Sequence, residues 1–311
     1  MLIQLKYLIQ EMRPKQWTKN LFIFAAAMFT RKLDDINILK SLGIGFFVFC
    51  MISGVIYIIN DWMDKEKDKL HPEKRYRPIA SGLLNSHFAL VSSILIAVFS
   101  ICLAWITLSR LTVYVIFSYL LINLLYSFWL KHIVIVDINN IAIGFVLRVL
   151  GGVVILKKFT PAIEASPWLL LCTYFLALFL AAAKRRHELL YIDSGVNHRK
   201  SLKDYSEELI DSILSVAASA SIICYSLYTV FIEFAFPKLK SSPEPIHNLY
   251  FTVPLVVVAI LRYKFLIFNR QEGGSPEKVL LTDRPLQLVI FIWVLMVVGL
   301  AYMQPYVQEM E

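Results

Sequence analysis

The chain has 311 residues, 58% of which are hydrophobic, and a formal net charge of +8 at pH 7. Soluble globular domains are about 45–50% apolar, so this composition, with a mean hydropathy of +0.64, excludes an ordinary soluble domain. The excess falls in apolar blocks of about 17–23 residues, the length that a helix needs to cross about 30 Å of hydrocarbon. We therefore predict an all-α integral membrane bundle that occupies residues 1–311 as a single domain.

Nine apolar blocks follow one another along the chain. Residues 1–12 precede them and are predicted to form an interfacial amphipathic helix. The first block is the weakest, because Lys19 lies within it and its strictly apolar part is short. The predicted transmembrane helices are 17–33, 41–60, 87–108, 112–130, 137–156, 166–184, 209–232, 250–267 and 285–304.

The distribution of basic residues predicts the orientation of the bundle. Most of the 31 Lys and Arg residues lie before the first span and in alternate connections after it. The positive-inside rule then places the N-terminus in the cytoplasm and the C-terminus outside, in the plasma (inner) membrane. The net charge of +8 thus reflects membrane topology, and it does not indicate a nucleic-acid partner.

Two long polar loops, 60–86 and 184–208, lie on the predicted cytoplasmic side, where chemistry on a water-soluble substrate is expected. A third loop runs over 268–284, and its Ser275-Pro276-Glu277 stretch has the cap, proline and acid that begin a helix. The four cysteines all lie within apolar blocks, so we interpret them as packing residues. The candidate active site therefore belongs to the loops at one end of the bundle.

An acidic motif closes the second predicted span. Asn60 and Asp61 are followed by Asp64 and Asp68, and the three acids have the spacing i, i+3, i+7, which places them on one face of a continuing helix. Clustered carboxylates repel one another unless a cation compensates them, and hard oxygen ligands beside a phosphate-bearing substrate suit Mg²⁺. We predict that Asp61, Asp64 and Asp68 bind Mg²⁺, with Asn60, Asp61 and Asp64 as the catalytic residues.

Basic residues follow this motif directly. Lys74, Arg75 and Arg77 can bind the phosphate oxygens that a metal leaves free. The alternative is a charged loop whose acids only balance its lysines. The complete pattern favours a functional site, because three acids in helical register lie at the membrane boundary and are followed by His-Pro-x-Lys-Arg-x-Arg-Pro.

A second basic cluster, Lys184-Arg185-Arg186, ends the sixth predicted span, and Glu188 and Tyr205 lie in the loop that follows. Basic residues at the end of a transmembrane helix are also normal topology, so this interpretation stays open. If the cluster faces the acidic motif across the bundle, it forms a second phosphate pocket. We include these five residues in the predicted substrate-binding set.

Isolated polar residues within the spans extend this set. Arg148 lies near the middle of the fifth predicted span, where a lone arginine is costly enough to indicate a functional or paired role. Asp137, at the inner start of the same span, is either polar lining or an acid at a helix N-terminus. Interfacial anchoring explains the basic stretch 13–20, although its Lys19 and Asn20 could reach the site.

The acidic motif resembles that of a known family. Asn-Asp-x-x-Asp-x-x-x-Asp at the end of the second of nine helices is similar to the motif of the UbiA superfamily of intramembrane prenyltransferases, which use Mg²⁺ on a diphosphate. The finer pattern resembles one branch, the decaprenyl-phosphate phosphoribosyltransferases. The similar stretches are RPKQWTKN (13–20), NDWMDKEKDKLHPEKRYRPIASG (60–82), YSFWLKHIVIVDI (126–138), GFVLRVLGG (144–152), AKRRHEL (183–189) and SPEKVLLTDRPL (275–286).

The resemblance implies a UbiA-like bundle within membrane lipids, a 5-phosphoribosyl-1-diphosphate donor and a polyprenyl-phosphate acceptor. It also implies substrate-binding roles for Tyr126 and Lys131, which lie in the 126–138 stretch. One departure from the wider superfamily supports the branch. Aromatic prenyltransferases carry a second Asp-x-x-x-Asp after the sixth helix, whereas the corresponding loop here is basic. The signature of soluble phosphoribosyltransferases, an apolar strand ending in two acids, is also missing.

Two other functions are compatible with parts of the sequence. A UbiA prenyltransferase that moves an isoprenoid onto an aromatic or other small acceptor would share the metal motif, but it would require the second acidic motif. A membrane transporter would require ionisable residues along several spans and related halves of the chain, and the sequence offers mainly Arg148. Both alternatives therefore explain less of the pattern than the phosphoribosyl transfer does.

Overall fold

A computed structural model of the chain describes residues 2–191, 202, 204–234, 246, 248–270, 273–274 and 276–308. Within these ranges every regular element is a helix, and there is no β-strand. Eight of these helices are long and apolar enough to cross a membrane. The predicted all-α membrane bundle is confirmed. Of the polar loop predicted over 184–208, residues 192–201 and 203 lie outside the described residues.

The eight long helices correspond to the second to ninth predicted spans. Two of them continue beyond their apolar blocks, so that Asn60 and Asp61 lie within α3 and Lys184-Arg185-Arg186 lies within α8. Regular helix thus positions both charged clusters. The helices are α1 Leu2–Glu11, α2 Ala25–Phe29, α3 Ile36–Met63, α4 Lys65–Leu70, α5 Ser86–Thr107, α6 Arg110–Phe128, α7 Val136–Lys157, α8 Pro167–Tyr191, α9 Glu207–Phe234, α10 Val253–Asn269, α11 Pro276–Thr282 and α12 Arg284–Gln308.

The first predicted span has a different form. Instead of one α-helix, the chain forms a 3-10 helix over Pro14–Phe24 and then the short helix α2. Irregular backbone is tolerated at membrane depth only where protein buries it, and this segment packs against α3 and α7. The fully buried Asn20 anchors it, because its Oδ1 accepts a hydrogen bond of 2.7 Å from Arg148 Nε.

A glycine in α7 permits this close packing. A Cβ atom at Gly152 would overlap the backbone carbonyl oxygen of Ile23, so only glycine allows the 3-10 helix to approach α7. We expect Gly152→Ala to destabilise the bundle by about 1–3 kcal/mol, because backbone atoms must move to relieve the overlap.

The matched control is Gly43→Ala in α3, where no atom lies within 4 Å of the added Cβ. That change replaces a poor helix former by a good one, so its effect should be neutral or stabilising by up to about 1 kcal/mol. Thermal unfolding in one detergent compares the two variants. Equal midpoints would contradict the close contact between Gly152 and Ile23.

Helices α3 and α7 form the interior of the bundle. About 61% of each of their apolar spans is buried by protein, compared with 17% for α12 and 22% for α5. α7 contributes to both large core clusters, with Ala142 in the cluster shared with α8 and α9, and Val153 in the cluster shared with α3 and α6. The surrounding protein therefore holds the charged end of α3 and the charged start of α7 more firmly than the ends of the peripheral helices.

Candidate active site

The acidic motif lies where α3 ends and α4 begins. α3 ends at Met63 and α4 starts at Lys65, with Asp64 between them. The backbone N–H groups of Asp64 and Asp68 nevertheless donate to the carbonyl groups four residues earlier, at 3.0 and 2.8 Å. Helical register therefore continues through the break, as the spacing of the acids requires.

Arg77 joins the first and last of the three acids. Its Nη1 atom lies 2.9 Å from Asp61 Oδ1 and 2.6 Å from Asp68 Oδ2. Both carboxylates are almost completely buried. Burial raises the pKa of the Asp68 carboxyl above its ordinary value, although the positive charge of Arg77 opposes this effect. One guanidinium group thus stands between two acids of the motif.

Lys131 holds the middle acid. This buried lysine belongs to a short 3-10 helix between α6 and α7. Its Nζ lies 2.8 and 2.7 Å from the two carboxylate oxygens of Asp64 and 3.4 Å from Asn60 Oδ1. Asn60 in turn donates to Asp61 Oδ1 at 3.3 Å. Three side-chain oxygens therefore surround one ammonium group, as they would surround a metal cation.

These contacts test whether the motif suits a metal ion. In the part of the chain that the structure describes, no three His, Cys, Asp or Glu side chains are already arranged as metal ligands, since each acid of the motif faces a basic group. The donors are nevertheless carboxylate and amide oxygens, which Mg²⁺ prefers. They lie in one connected cluster around cationic atoms. The residues fit a magnesium ion, and magnesium binding at Asp61, Asp64 and Asp68 stays a prediction.

A residue outside the predicted set completes the cluster. Arg13, explained by interfacial anchoring from the sequence, forms an ion pair with Asp61 and lies over the ring of Tyr57, 4.9 Å from its centroid. Its backbone has a positive φ of 53°, where α1 ends and the 3-10 helix begins. This break in the chain turns the Arg13 side chain toward the end of α3.

Glu11 also contacts this cluster. Only 1% of it is exposed, and its Oε2 accepts a hydrogen bond of 3.3 Å from the backbone N–H of Ile79. Burial, together with the neighbouring Asp61, raises the pKa of Glu11 to about 8. The sequence held a weak signal for this residue, because Glu11 falls on the apolar face of α1 with Leu8 and Met12, which are also buried. Helix α1 is therefore part of the site.

We expect Arg13→Ala to destabilise the protein by about 1–3 kcal/mol and to lower its activity. The buried Asp61 would lose one of its two basic partners, and an unsatisfied buried charge costs free energy. Thermal unfolding and turnover in the same detergent measure both effects. The matched control is Lys15→Ala, at an exposed position in the same segment. If both variants behave alike, the role of Arg13 is only interfacial.

Arg185 of the second basic cluster lies in a buried network. Its Nε is 2.7 Å from Asp137 Oδ2 and its Nη1 is 2.7 Å from Glu188 Oε2. Nη2 also donates to the hydroxyl of Tyr126 at 3.3 Å. The side chain of Asp137 is completely buried. Four of the predicted substrate-binding residues therefore contact one another here, and Tyr205 joins them through Asp137. In this arrangement Arg185 already has two acidic partners.

Tyr205 connects this network to the start of α7. Its hydroxyl donates to Asp137 Oδ1 at 2.7 Å and accepts from the backbone N–H of Ile135 at 2.8 Å. Ile135 has a φ of 67°, which a β-branched residue rarely adopts. Such strain persists only where surrounding contacts hold it, and Tyr205 supplies such a contact. The buried tyrosine thus fixes the segment between Lys131 and Asp137.

The other two members of the basic cluster differ from Arg185. Arg186 pairs with Asp211 at 2.7 Å and Glu207 at 3.1 Å, both on α9, and lies over the ring of Phe268. Lys184 is exposed at the end of α8. The cluster therefore divides into two buried arginines and one exposed lysine.

Arg148 lies in the middle of the bundle, as its position in the sequence indicates. Its guanidinium donates to Asn20, to the carbonyl of Gly144 at 2.8 Å and to the hydroxyl of Tyr119 at 2.6 Å. It also lies over the rings of Tyr119 and Phe145. All of these partners are neutral. Arg148 and Asn20 thus join the 3-10 helix to α7.

A cavity of about 240 Å³ opens beside Arg13 and Arg77, the two arginines that pair with Asp61, and none of the three acids of the motif is among its described lining residues. Among the described residues, its lining includes Glu11, Arg13 and Arg77, and none of Lys184, Arg185 or Arg186. Arg75 lies in the exposed part of the same loop, where it donates to the hydroxyl of Tyr76 at 2.6 Å. Lys74 lies close enough to Asp68 for its positive charge to stabilise the Asp68 carboxylate, and Lys19 lies near Tyr119.

A family model described as the UbiA prenyltransferase family matches residues 20–295. The chain belongs to the UbiA family. It is 33% identical over 292 residues to the decaprenyl-phosphate phosphoribosyltransferase of Mycolicibacterium smegmatis, which covers 92% of this chain and 90% of that one. A protein of the same name from Corynebacterium glutamicum is 33% identical over 302 residues, covering 96% of this chain and 87% of that one.

The UbiA fold also agrees with solved structures. A UbiA homolog from Archaeoglobus fulgidus bound to GPP and Mg²⁺ superimposes with a TM-score of 0.69 over 95% of this chain and 99% of that one. At 16% identity, this likeness shows the fold alone. The resemblance stated from the acidic motif is therefore confirmed, both for the UbiA family and for its helical architecture.

Proposed function

We propose that this chain transfers the 5-phosphoribosyl group of 5-phosphoribosyl-1-diphosphate to a polyprenyl phosphate and releases diphosphate. The observation that supports this most directly is the 33% identity to the M. smegmatis decaprenyl-phosphate phosphoribosyltransferase over about nine-tenths of both chains. The basic end of α8 supports it too, because an aromatic prenyltransferase of this family would carry a second acidic motif there.

Asp61, Asp64 and Asp68, together with Asn60, would hold Mg²⁺ at the end of α3. When bound, a magnesium ion neutralises the diphosphate and makes it a better leaving group. The support for this arrangement is the cluster of oxygens around Lys131 and Arg77. Magnesium in a UbiA homolog of the same fold is consistent with it.

Three basic side chains would bind the donor's phosphate oxygens. Arg13, Arg77 and Lys131 now contact the acids of the motif. Each can turn to a phosphate oxygen once the acids are otherwise compensated, since all three are long and flexible. Charge-assisted hydrogen bonds of this kind are short and strong, and they stabilise charge that develops on the leaving diphosphate.

The reaction exchanges one C–O bond for another. The bond between C1 of ribose and the diphosphate oxygen breaks with its electron pair, and positive charge develops on the sugar ring. An oxygen of the lipid phosphate then bonds to C1 from the opposite face, which inverts the configuration. That phosphate is already anionic at neutral pH, so the step requires no general base. The apolar walls of the bundle would contact the isoprenoid chain.

The site would face the cytoplasm, in the plasma membrane. The supporting observation is the excess of basic residues at this end, among them Lys131, Arg77 and the end of α8. A cysteine introduced at the exposed Leu70 should react with a membrane-impermeant maleimide in inverted membrane vesicles and stay unreactive in intact cells. Labelling of intact cells would reverse the proposed orientation.

Purified protein incubated with labelled 5-phosphoribosyl-1-diphosphate, Mg²⁺ and a short polyprenyl phosphate tests the proposal. We expect label to appear in the lipid, and EDTA to stop its transfer. Parallel incubations contain a prenyl diphosphate with an aromatic acceptor. Transfer only from the prenyl diphosphate would assign the chain to aromatic prenyl transfer and would refute phosphoribosyl transfer.

A further inference from the structure

A second cavity lies at the same end of the bundle, between the end of α10 and the start of α12. Its volume is about 270 Å³. The residues that line it are Arg262, Arg270, Thr282, Asp283, Arg284 and Pro285. Part of this lining belongs to the 275–286 stretch, which carries the family resemblance but has no part in the proposed reaction. In the described part of the lining, three arginines and one acid thus surround a concave surface at the membrane boundary.

Among the described residues of this lining, the only acid is already satisfied by protein groups. Asp283 accepts hydrogen bonds from Arg262 Nη2 at 2.8 Å and Nε at 3.2 Å, and from the backbone N–H of Leu286 at 2.8 Å. The hydrogen bond from Arg262 holds the pKa of the Asp283 carboxyl below its ordinary value, so this side chain is ionised at neutral pH. Arg270 and Arg284 are both exposed. The described lining of the cavity therefore carries a net positive charge that suits an anion.

Apolar side chains adjoin this charge. Leu281 is 78% exposed, Leu280 is 40% exposed and Leu288 is 59% exposed. Leu280 and Leu281 lie in the last turn of the short helix α11, which ends at Thr282, and Leu288 lies in the first turns of α12. Exposed leucines beside arginines at a membrane boundary match the two parts of a phospholipid, an acyl chain and a phosphate.

The position of the cavity favours a lipid from the surrounding bilayer over the substrate of the active site. Helices α10 and α12 are peripheral, with 28% and 17% of their spans buried. None of the described contacts of the acidic motif involves a residue of this cavity. A bilayer phospholipid can therefore reach it without entering the bundle.

We propose that this cavity binds the headgroup of an anionic phospholipid, with its phosphate between Arg270 and Arg284 and an acyl chain along Leu281 and Leu288. Basic pockets between transmembrane helices on the cytoplasmic side are suited to anionic headgroups. The general preference for basic residues at this side explains their number, but it does not require a cavity, an ionised acid paired with a third arginine, or leucines beside it. The proposal is independent of the proposed transferase activity.

Native mass spectrometry of the full chain, released from nanodiscs that contain equal phosphatidylglycerol and phosphatidylcholine, tests this site. The wild type should retain at least one phosphatidylglycerol, and the double variant R270Q/R284Q should lose most of that adduct. The control is R110Q, because Arg110 is an exposed arginine at the far end of α6, beside Trp105. The control should retain the adduct as the wild type does.

A second measurement does not depend on whether the double variant R270Q/R284Q folds correctly. Phosphatidylglycerol added in detergent should raise the unfolding midpoint of the wild type and of R270K/R284K, while phosphatidylcholine and inorganic phosphate should not. Equal retention of phosphatidylglycerol by R270Q/R284Q and the wild type would overturn the proposal. Equal effects of the two phospholipids, or an effect of inorganic phosphate alone, would overturn it as well. None of these readings depends on turnover, so a failed transferase assay leaves them unchanged.

Discussion

Asp64→Asn should reduce phosphoribosyl transfer at least about 100-fold while the bundle stays folded. Loss of one carboxylate ligand removes several kcal/mol of electrostatic stabilisation from the transition state, and each 1.36 kcal/mol corresponds to about a tenfold change in rate. Asp64 is the most suitable acid for this test, because it contacts one basic residue, Lys131, and about 20% of its side chain is exposed. Asparagine keeps an oxygen acceptor for that lysine.

Substitution of Asp61 would give a less clear result. Its side chain is 1% exposed and pairs with both Arg13 and Arg77, so its loss would leave two basic groups without their partner. Lost activity could then reflect a rearranged site. The Asp64→Asn variant separates lost catalysis from a rearranged site, since the unfolding midpoint and the turnover of that variant can change independently.

The control for Asp64→Asn is Glu66→Gln. Glu66 lies two residues further along, its side chain is 79% exposed, and it forms an ion pair with Lys69 on the same helix. The Glu66→Gln substitution removes one negative charge from the same region without changing a residue of the acidic motif. Label transfer to lipid, measured for both variants at several Mg²⁺ concentrations, should separate them by at least about two orders of magnitude. An Asp64→Asn enzyme with wild-type turnover would refute the metal assignment.

Arg185→Ala should lower the free energy of unfolding by about 3–5 kcal/mol, the usual cost of removing one partner from a buried ion pair. The reason is that Asp137, whose side chain is completely buried, would lose its basic partner, and Glu188 would lose one as well. Tyr205 could not compensate, because a hydroxyl group carries no positive charge. Thermal unfolding followed by tryptophan fluorescence measures the loss.

Lys184→Ala is the matched control, since this residue precedes Arg185 on the same helix and its side chain is exposed. Its effect on stability should stay within about 0.5 kcal/mol. A double-mutant cycle with Asp137→Asn then isolates the energy of the pair. If Arg185→Ala unfolds at the wild-type temperature and loses only activity, Arg185 binds substrate and its ion pairs contribute little to the fold.

Local sequence patterns predicted most of the long helices and the shared register of the three acids. Eight apolar blocks became helices, because length and hydropathy alone decide whether a segment can cross the bilayer. The spacing of Asp61, Asp64 and Asp68 predicted their shared register, because helical periodicity depends only on near neighbours. The helix that begins at Pro276 was also evident from its first residues.

Contacts between distant parts of the chain could not be predicted in this way. Arg13 is 48 residues from Asp61, and nothing in the segment around either residue indicates the other. The sequence could not show that Arg185 and Arg186 face acids on α7 and on α9, because the packing of the bundle determines those pairs. The positive φ of Ile135 depends on Tyr205, which is 70 residues away.

The unusual form of the first predicted span has a consequence for its length. A 3-10 helix rises about 2.0 Å per residue and an α-helix about 1.5 Å. The 11 residues of Pro14–Phe24 and the 5 residues of α2 together therefore extend about 30 Å, close to the thickness of the hydrocarbon layer. An α-helix would need about 20 residues for the same path. The stretched geometry thus gives the first predicted span, which has few apolar residues, a length close to that of an ordinary span.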